Sequence, residues 1–125
     1  MARLAEIVID ALHPVALARF WASVLNDFEV RAYDTAEIER LAALGYTPET
    51  DPSAALDGPE FTIFFQQVSE RKTQRNRIHF DVVTRDESAE VHRLVAQGAA
   101  IREHHDGYTV MLDPEGNEFC VKQGT

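Results

Sequence analysis

The sequence predicts an α+β fold made of two tandem βαβββ modules, and three features point to it. Strand, helix and strand patterns recur in the same order in two halves of the chain, the mark of an internal repeat. Each half opens on an alternating strand that runs directly into an amphipathic helix. The second half closes on Asp113-Pro-Glu-Gly-Asn117, a dense cluster of turn formers set between two apolar, β-prone runs, which reads as a hairpin. The 125 residues are the usual size of one domain, expected as 1–125, with module one over about residues 1–68 and module two over about 77–123.

Taken in order, Leu4 to Ala11 alternates, with Ile7 and Ile9 on one face and Glu6, Val8 and Asp10 on the other. His13-Pro14 marks a helix start, because proline is comfortable at the first helical position. Leu17, Phe20, Trp21, Val24 and Leu25 then repeat at helical spacing until Asn26-Asp27 breaks the pattern. Phe28 to Tyr33 returns as a strand. Asp34 to Glu37 has the form of a capping box, and Ile38, Leu41 and Ala42 give a short helical insertion, 34–45, that stops at Gly45. Thr47 to Pro59, rich in Pro, Asp, Ser and Thr, is expected to be an ordered loop or lid. Phe61 to Val68 is strongly β-prone. Ser69 to Arg77 carries Arg71, Lys72, Arg75 and Arg77 and connects the halves, either as a solvated linker or as an anion-binding rim.

The second half repeats the plan. Arg77 to Thr84 is a strand with His79, Asp81 and Val83 on one face, and Asp86 to Gln97 is a helix with Val91, Leu94 and Val95 together. Gly98 sits where a C-terminal helix cap belongs. Ala99 to Glu103 is a strand, His104 to Gly107 a turn, and the hairpin from Tyr108 to Val121 follows.

Composition narrows the function classes. At 45% hydrophobic and 26% charged, the chain has the balance of an ordinary globular domain. A net charge of −9 argues against nucleic acid or an anionic membrane, both of which reward clustered Lys and Arg. The single cysteine, Cys120, rules out an intrachain disulfide framework and suits a reducing cytoplasm, the expected location. Arg3, Glu6 and Asp10 interrupt what a signal peptide needs as an apolar core, and no run of 18 apolar residues offers a membrane span. No nucleophile elbow, phosphate-cradling glycine loop or Cys-x-x-Cys pair is present.

Several pieces together resemble the vicinal oxygen chelate superfamily, in particular its glyoxalase-like and bleomycin-resistance-like small proteins. They are Phe20-Trp21 followed by Val24-Leu25, Asn76-Arg-Ile-His-Phe-Asp81, Leu94-Val-Ala-Gln-Gly-Ala99 and Asp113-Pro-Glu-Gly-Asn-Glu-Phe-Cys120. The resemblance implies that the two modules form a curved-sheet cup holding a metal, a small molecule or both. It also implies up to four metal ligands, one on the first and one on the last strand of each module. These fall on Glu6, Gln66, His79 and Cys120. Aligning the modules by strand ends would instead put the first on Val8, and the ligand on the last strand of module one falls near Gln66 or Gln67. Cys120 departs from the glutamate usual in the family, and the set suits magnesium poorly, since that ion prefers oxygen. Zinc accepts His, Cys and Glu.

Each candidate also has a plainer reading. His79 is a ligand or base, or else a hydrogen-bonded core histidine. Cys120 is a ligand, or a small buried hydrophobe. Glu6 is a metal ligand or catalytic base, its pKa raised if the cup is apolar, or else an ion-pair partner of the linker. His104-His105-Asp106 looks like a metal tract but is expected in an exposed turn. Phe61, Phe65, Tyr108 and Met111 are expected to line an apolar ligand pocket. The function expected is small-molecule binding, with catalysis undecided. The alternative is a metal-dependent lyase, isomerase or dioxygenase in which zinc, iron or manganese acts as a Lewis acid. A homodimer is expected, because open sheet edges invite pairing.

Overall fold

The computed structural model describes residues 1–125 and divides into two compact units, Met1–Arg71 and Lys72–Thr125. The first contains β1 (Glu6–Ala11), α1 (Pro14–Val24), β2 (Glu29–Val30), α2 (Thr35–Ala43), β3 (Ser53–Asp57) and β4 (Thr62–Gln67). The second contains β5 (Phe80–Thr84), α3 (Glu87–Ala96), β6 (Ala100–His105), β7 (Tyr108–Leu112) and β8 (Glu118–Gln123). The sheets have the same topology. One is ordered β1-β4-β3-β2 and the other β5-β8-β7-β6, with the first and last strands of each unit parallel and the other pairings antiparallel. This is the α+β fold of two tandem βαβββ modules.

In the first unit one face of the sheet packs on α1. Ile63, Phe65 and Leu56 are essentially buried there, with Leu17, Phe20 and Trp21 from the helix. Phe20 and Trp21 meet edge to face, ring centroids 5.6 Å apart, a favoured aromatic geometry. In the second unit Phe119, Val121 and Met111 pack with Val91 and Leu94 of α3. Fully burying side chains of this size contributes about 1.5 to 3 kcal/mol each, so these layers carry the fold.

Local chemistry sets the ends of the elements. Asp34 caps α2 by accepting from the Glu37 N–H at 2.8 Å, and Asp86 caps α3 by accepting from the Ala89 N–H at 3.0 Å. The final hairpin is organised by Asp113. Its Oδ1 accepts from the backbone N–H groups of Glu115 and Asn117, its Oδ2 accepts from the Asn117 amide, and Gly116 supplies φ = 85°.

Three expectations need correction. The stretch from Thr47 to Pro59 is not wholly loop, because β3 occupies Ser53–Asp57 and lies between β2 and β4. Its Ala54-Ala55-Leu56 core has modest β-propensity, but two neighbouring strands supply the pairing that propensity lacks. The strand expected over Phe28 to Tyr33 shrinks to Glu29–Val30. His104 and His105 belong to β6 rather than to a turn; the reversal is made at Asp106-Gly107, where Gly107 has φ = 86°. No helix is long and apolar enough to cross a membrane.

Candidate functional site

Each sheet has a second face, away from its helix, and strand alternation decides what that face carries. In the second unit it carries Asp81 from β5, Glu118, Cys120 and Lys122 from β8, and Tyr108 and Val110 from β7. Asp81 lies directly opposite Cys120, and Cys120 opposite Val110. His79 precedes β5 by one residue and joins the same face. These groups surround a cavity of about 490 Å³, completed by Arg75, Asn76, Arg102 and Glu103.

Asp81 is the hub. Its Oδ2 accepts from Lys122 Nζ at 2.9 Å, its Oδ1 is 3.4 Å from His79 Nε2, and the Cys120 thiol lies beside the same carboxylate. The Lys122 hydrogen bond holds the Asp81 carboxyl below its usual range, and Lys122 is raised in return. Burial pushes the Cys120 thiol up, and the Asp81 charge adds to the rise. Donor atoms of His79, Asp81 and Cys120 lie within 4.8 Å of one another.

Glu118 organises the opposite end. It is largely buried, its side chain 13% exposed, and it accepts from Lys72 Nζ at 3.2 Å, Arg102 at 3.3 Å and the Asn76 backbone N–H at 2.9 Å. Burial by itself would raise its carboxyl, but the backbone donors and Lys72 outweigh that and lower it. Glu118 therefore clamps the linker of residues 72–76 to the sheet.

The corresponding face of the first unit is different in character. The two modules align by their strand-to-helix turns: Ala11 ends β1 three residues before Pro14, and Thr84 ends β5 three residues before Glu87. Glu6 then corresponds to His79 and Val8 to Asp81. Val8 lies opposite Phe64, so Phe64 stands where Cys120 stands in the second unit. Gln66 instead faces Asp10, and its amide donates to that carboxylate at 2.9 Å. Glu6 faces Thr62, four ladder positions from Gln66, roughly 13 Å along the strands. Glu6 and Gln66 therefore do not share a site.

The expected apolar pocket is also corrected. Phe65 and Met111 are fully buried against the helices because their register puts them on the helix-facing side, one residue out of phase with Phe64 and Val110. Phe61 packs on Phe28, with centroids 5.5 Å apart. Tyr108 does line the cavity, stacked on His105 at 4.6 Å. The walls are charged rather than aromatic. The sequence reading omitted Asp81, Lys122, Arg102 and Glu118 from the site; the two-residue period from His79 and Cys120 was the signal for all but Arg102.

A family model described as a glyoxalase-like domain matches residues 6–122. The chain belongs to the glyoxalase-like family, within the vicinal oxygen chelate superfamily. No curated protein sequence matches it. Solved structures share the fold at low identity. A glyoxalase/bleomycin resistance protein/dioxygenase family enzyme from Burkholderia phytofirmans superposes with TM-score 0.66 at 19% identity, covering 98% of both chains. The fosfomycin resistance protein FosX of Mesorhizobium loti gives 0.65 at 14%, covering 100% of this chain and 94% of its own. A glyoxalase/bleomycin resistance protein from Albidiferax ferrireducens gives 0.59 at 14%, covering 98% of both. Among glyoxalase-like proteins this chain is thus assigned by family and fold.

Proposed function

We propose that this glyoxalase-like protein binds a small molecule on the open face of its second module. The observation that carries the reading is the cavity of about 490 Å³ into which His79, Asp81, Cys120 and Tyr108 all project, a volume within the range of small-molecule sites. His79 offers an imidazole and Tyr108 a phenol for orienting a polar ligand, and Val110 gives the floor its apolar contact. A ligand-observed NMR screen followed by amide chemical-shift mapping tests it. Binders should move residues 79–81 and 118–122; shifts confined to residues 1–71 would sink the proposal.

A second reading is favoured by the three donors within 4.8 Å. Nitrogen, carboxylate and sulfur form a set that zinc accepts and that magnesium does not. A zinc held by His79, Asp81 and Cys120 would supply Lewis acidity toward a chelating substrate oxygen. Binding it requires the thiol to lose its proton and Asp81 to release Lys122, and both requirements count against tight binding. Elemental analysis of protein purified without chelator decides between them: near one zinc per chain, lost in His79→Ala, supports the metal site, and none after soaking in zinc excludes it. The proposal includes a homodimer, since the outer edges of β1 and β5 carry no paired strand. It also includes a cytoplasmic setting, consistent with the unpaired Cys120. Light scattering checks the first and cell fractionation the second.

A further inference from the structure

We infer that the ligand of this cavity is an anion, carrying a carboxylate or phosphate group received by Arg75, Arg102 and Lys122. The inference rests on the proposal that the cavity binds a small molecule. Three observations carry it. The first is charge segregation: residues 1–71 have five basic and twelve acidic side chains, whereas residues 72–125 have seven basic and nine acidic. In a chain of net charge −9, three of those seven basic groups line one cavity, where they match in number its three carboxylates, Asp81, Glu103 and Glu118.

The second is how Arg102 reaches it. The β6–β7 register shifts between Ile101 and Glu103, making Arg102 the extra residue of a β-bulge. Consecutive residues of a regular strand point to opposite faces, yet Arg102 and Glu103 both line the cavity. The bulge lets these two neighbouring side chains share one face.

The third is that the cations keep donors to spare: Arg102 and Lys122 are each held by one carboxylate and remain about half exposed. Glu118 takes one N–H of Arg102 and pins the linker through Asn76, which fixes the backbone next to Arg75. Asp81 holds Lys122. A guanidinium has five N–H donors and an ammonium three, so both keep donors free for a ligand. Arg75 lines the cavity, is exposed and makes no ion pair. Glu103 also lines the cavity and lies 3.4 Å from His105. The donors that Arg102 and Lys122 do not spend on Glu118 and Asp81, together with those of Arg75, suit a bidentate oxyanion.

The test is titration of the full chain at low salt with two probes, inorganic phosphate and benzoate, followed by amide shifts and calorimetry. At least one probe should saturate with shifts at residues 75–81 and 118–122. Arg75→Gln should weaken it about tenfold, the usual loss for one charge-assisted hydrogen bond. Arg85→Gln, the same charge change outside the cavity, should alter it by less than about twofold, the scale of screened long-range effects. Phosphate binding without benzoate binding assigns the phosphate class, and the converse assigns the carboxylate class. If neither probe binds while neutral compounds from the screen do, the anion inference falls and the binding site stands. If nothing binds there at all, both fall. Saturation unaffected by Arg75→Gln and Arg102→Gln overturns the inference as well.

Discussion

The two modules have the same topology and the same buried layer, and they differ on their open faces. Helix-facing pairs correspond: Ile63 and Phe65 in the first, Phe119 and Val121 in the second, all essentially buried. On the open side, Val8 opposite Phe64 corresponds to Asp81 opposite Cys120. One face is apolar at its centre, with Glu6, Arg31 and Asp57 toward one end; the other gathers an imidazole, a thiol, carboxylates and cations around a cavity. The buried side is constrained because it must fill a core at crystal-like density. The open side has no such requirement, so there the residues differ and chemistry can be placed. The site proposed above lies on the second module; the first module's open face has a smaller cavity, about 300 Å³, lined by Tyr33, Asp51, Ala55 and Phe64 among others.

If that division is right, the largest effects should come from the shared layer and should be alike in the two modules. Phe119→Ala should cost about 3 to 5 kcal/mol and Ile63→Ala about 2 to 5, the range for deleting large buried side chains. Thermal denaturation measures both. A cost for either below that of Val8→Ala, whose side chain is half exposed, would break the comparison. Next comes transplantation of the plain face onto the chemical one. Asp81→Val installs the first module's residue and removes the hub. It should abolish any zinc binding by the second unit, read by elemental analysis, because only two of the three donors would remain where zinc sites use three or four protein ligands. Cooperative unfolding should persist in this variant; loss of the fold would mean that Asp81 is structural.

A smaller effect concerns the Cys120 thiol in chelator-treated protein. Burial and Asp81 raise its pKa above the ordinary 9.0, so the folded state prefers the neutral thiol. That preference contributes stability fully present below the unfolded pKa, and it is lost as pH rises through the folded value. Alkylation at pH 8 should therefore be slower than for an unhindered thiol. Asp81→Asn removes the charge part of the shift and should speed it. A rate equal to that of a free thiol would show that the environment assigned to Cys120 is wrong.

Which parts of this were legible beforehand follows from the physics of each signal. The caps at Asp34 and Asp86 and the Asp113 hairpin are local, so the residues that make them are neighbours in sequence. The alternation of Ile7 and Ile9 against Glu6 and Val8 is local as well. Strand β3 was missed because Ala54 and Ala55 are in a strand only by virtue of β2 and β4. Phe65 and Met111 are apolar strand residues by composition alone, and only the ladder register shows that they face the helices rather than the cavity. Gln66 was off by two positions because the alignment of the modules at their last strands depends on ladder register, which the sequence does not display. Arg102 needed the bulge. His79 and Cys120 are marked by residue type and family pattern, while the role of Asp81 appears only once Lys122 is seen reaching it diagonally from β8.

The smallest expected effect concerns ion pairs on the two open faces. Arg31 binds Asp57 through two hydrogen bonds, at 2.9 and 2.7 Å, and this lowers the Asp57 carboxyl; Asp81 is lowered by Lys122. For a depressed carboxylate the contribution is present above the unfolded pKa and is lost as pH falls through the folded one. Both losses therefore fall in the acid range, below the ordinary value of 3.8. Arg31 and Asp57 are about half exposed, so water screens the pair and Arg31→Gln should cost only about 0.2 to 1 kcal/mol despite its bidentate geometry. That cost should shrink in 1 M salt, where the Debye length is about 3 Å. A double-mutant cycle with Asp57→Asn isolates the pair from the side effects of each change. A coupling well above that range, or one indifferent to salt, would mean that the first module's open face is shielded from solvent, and the contrast between the two open faces would then have to be redrawn.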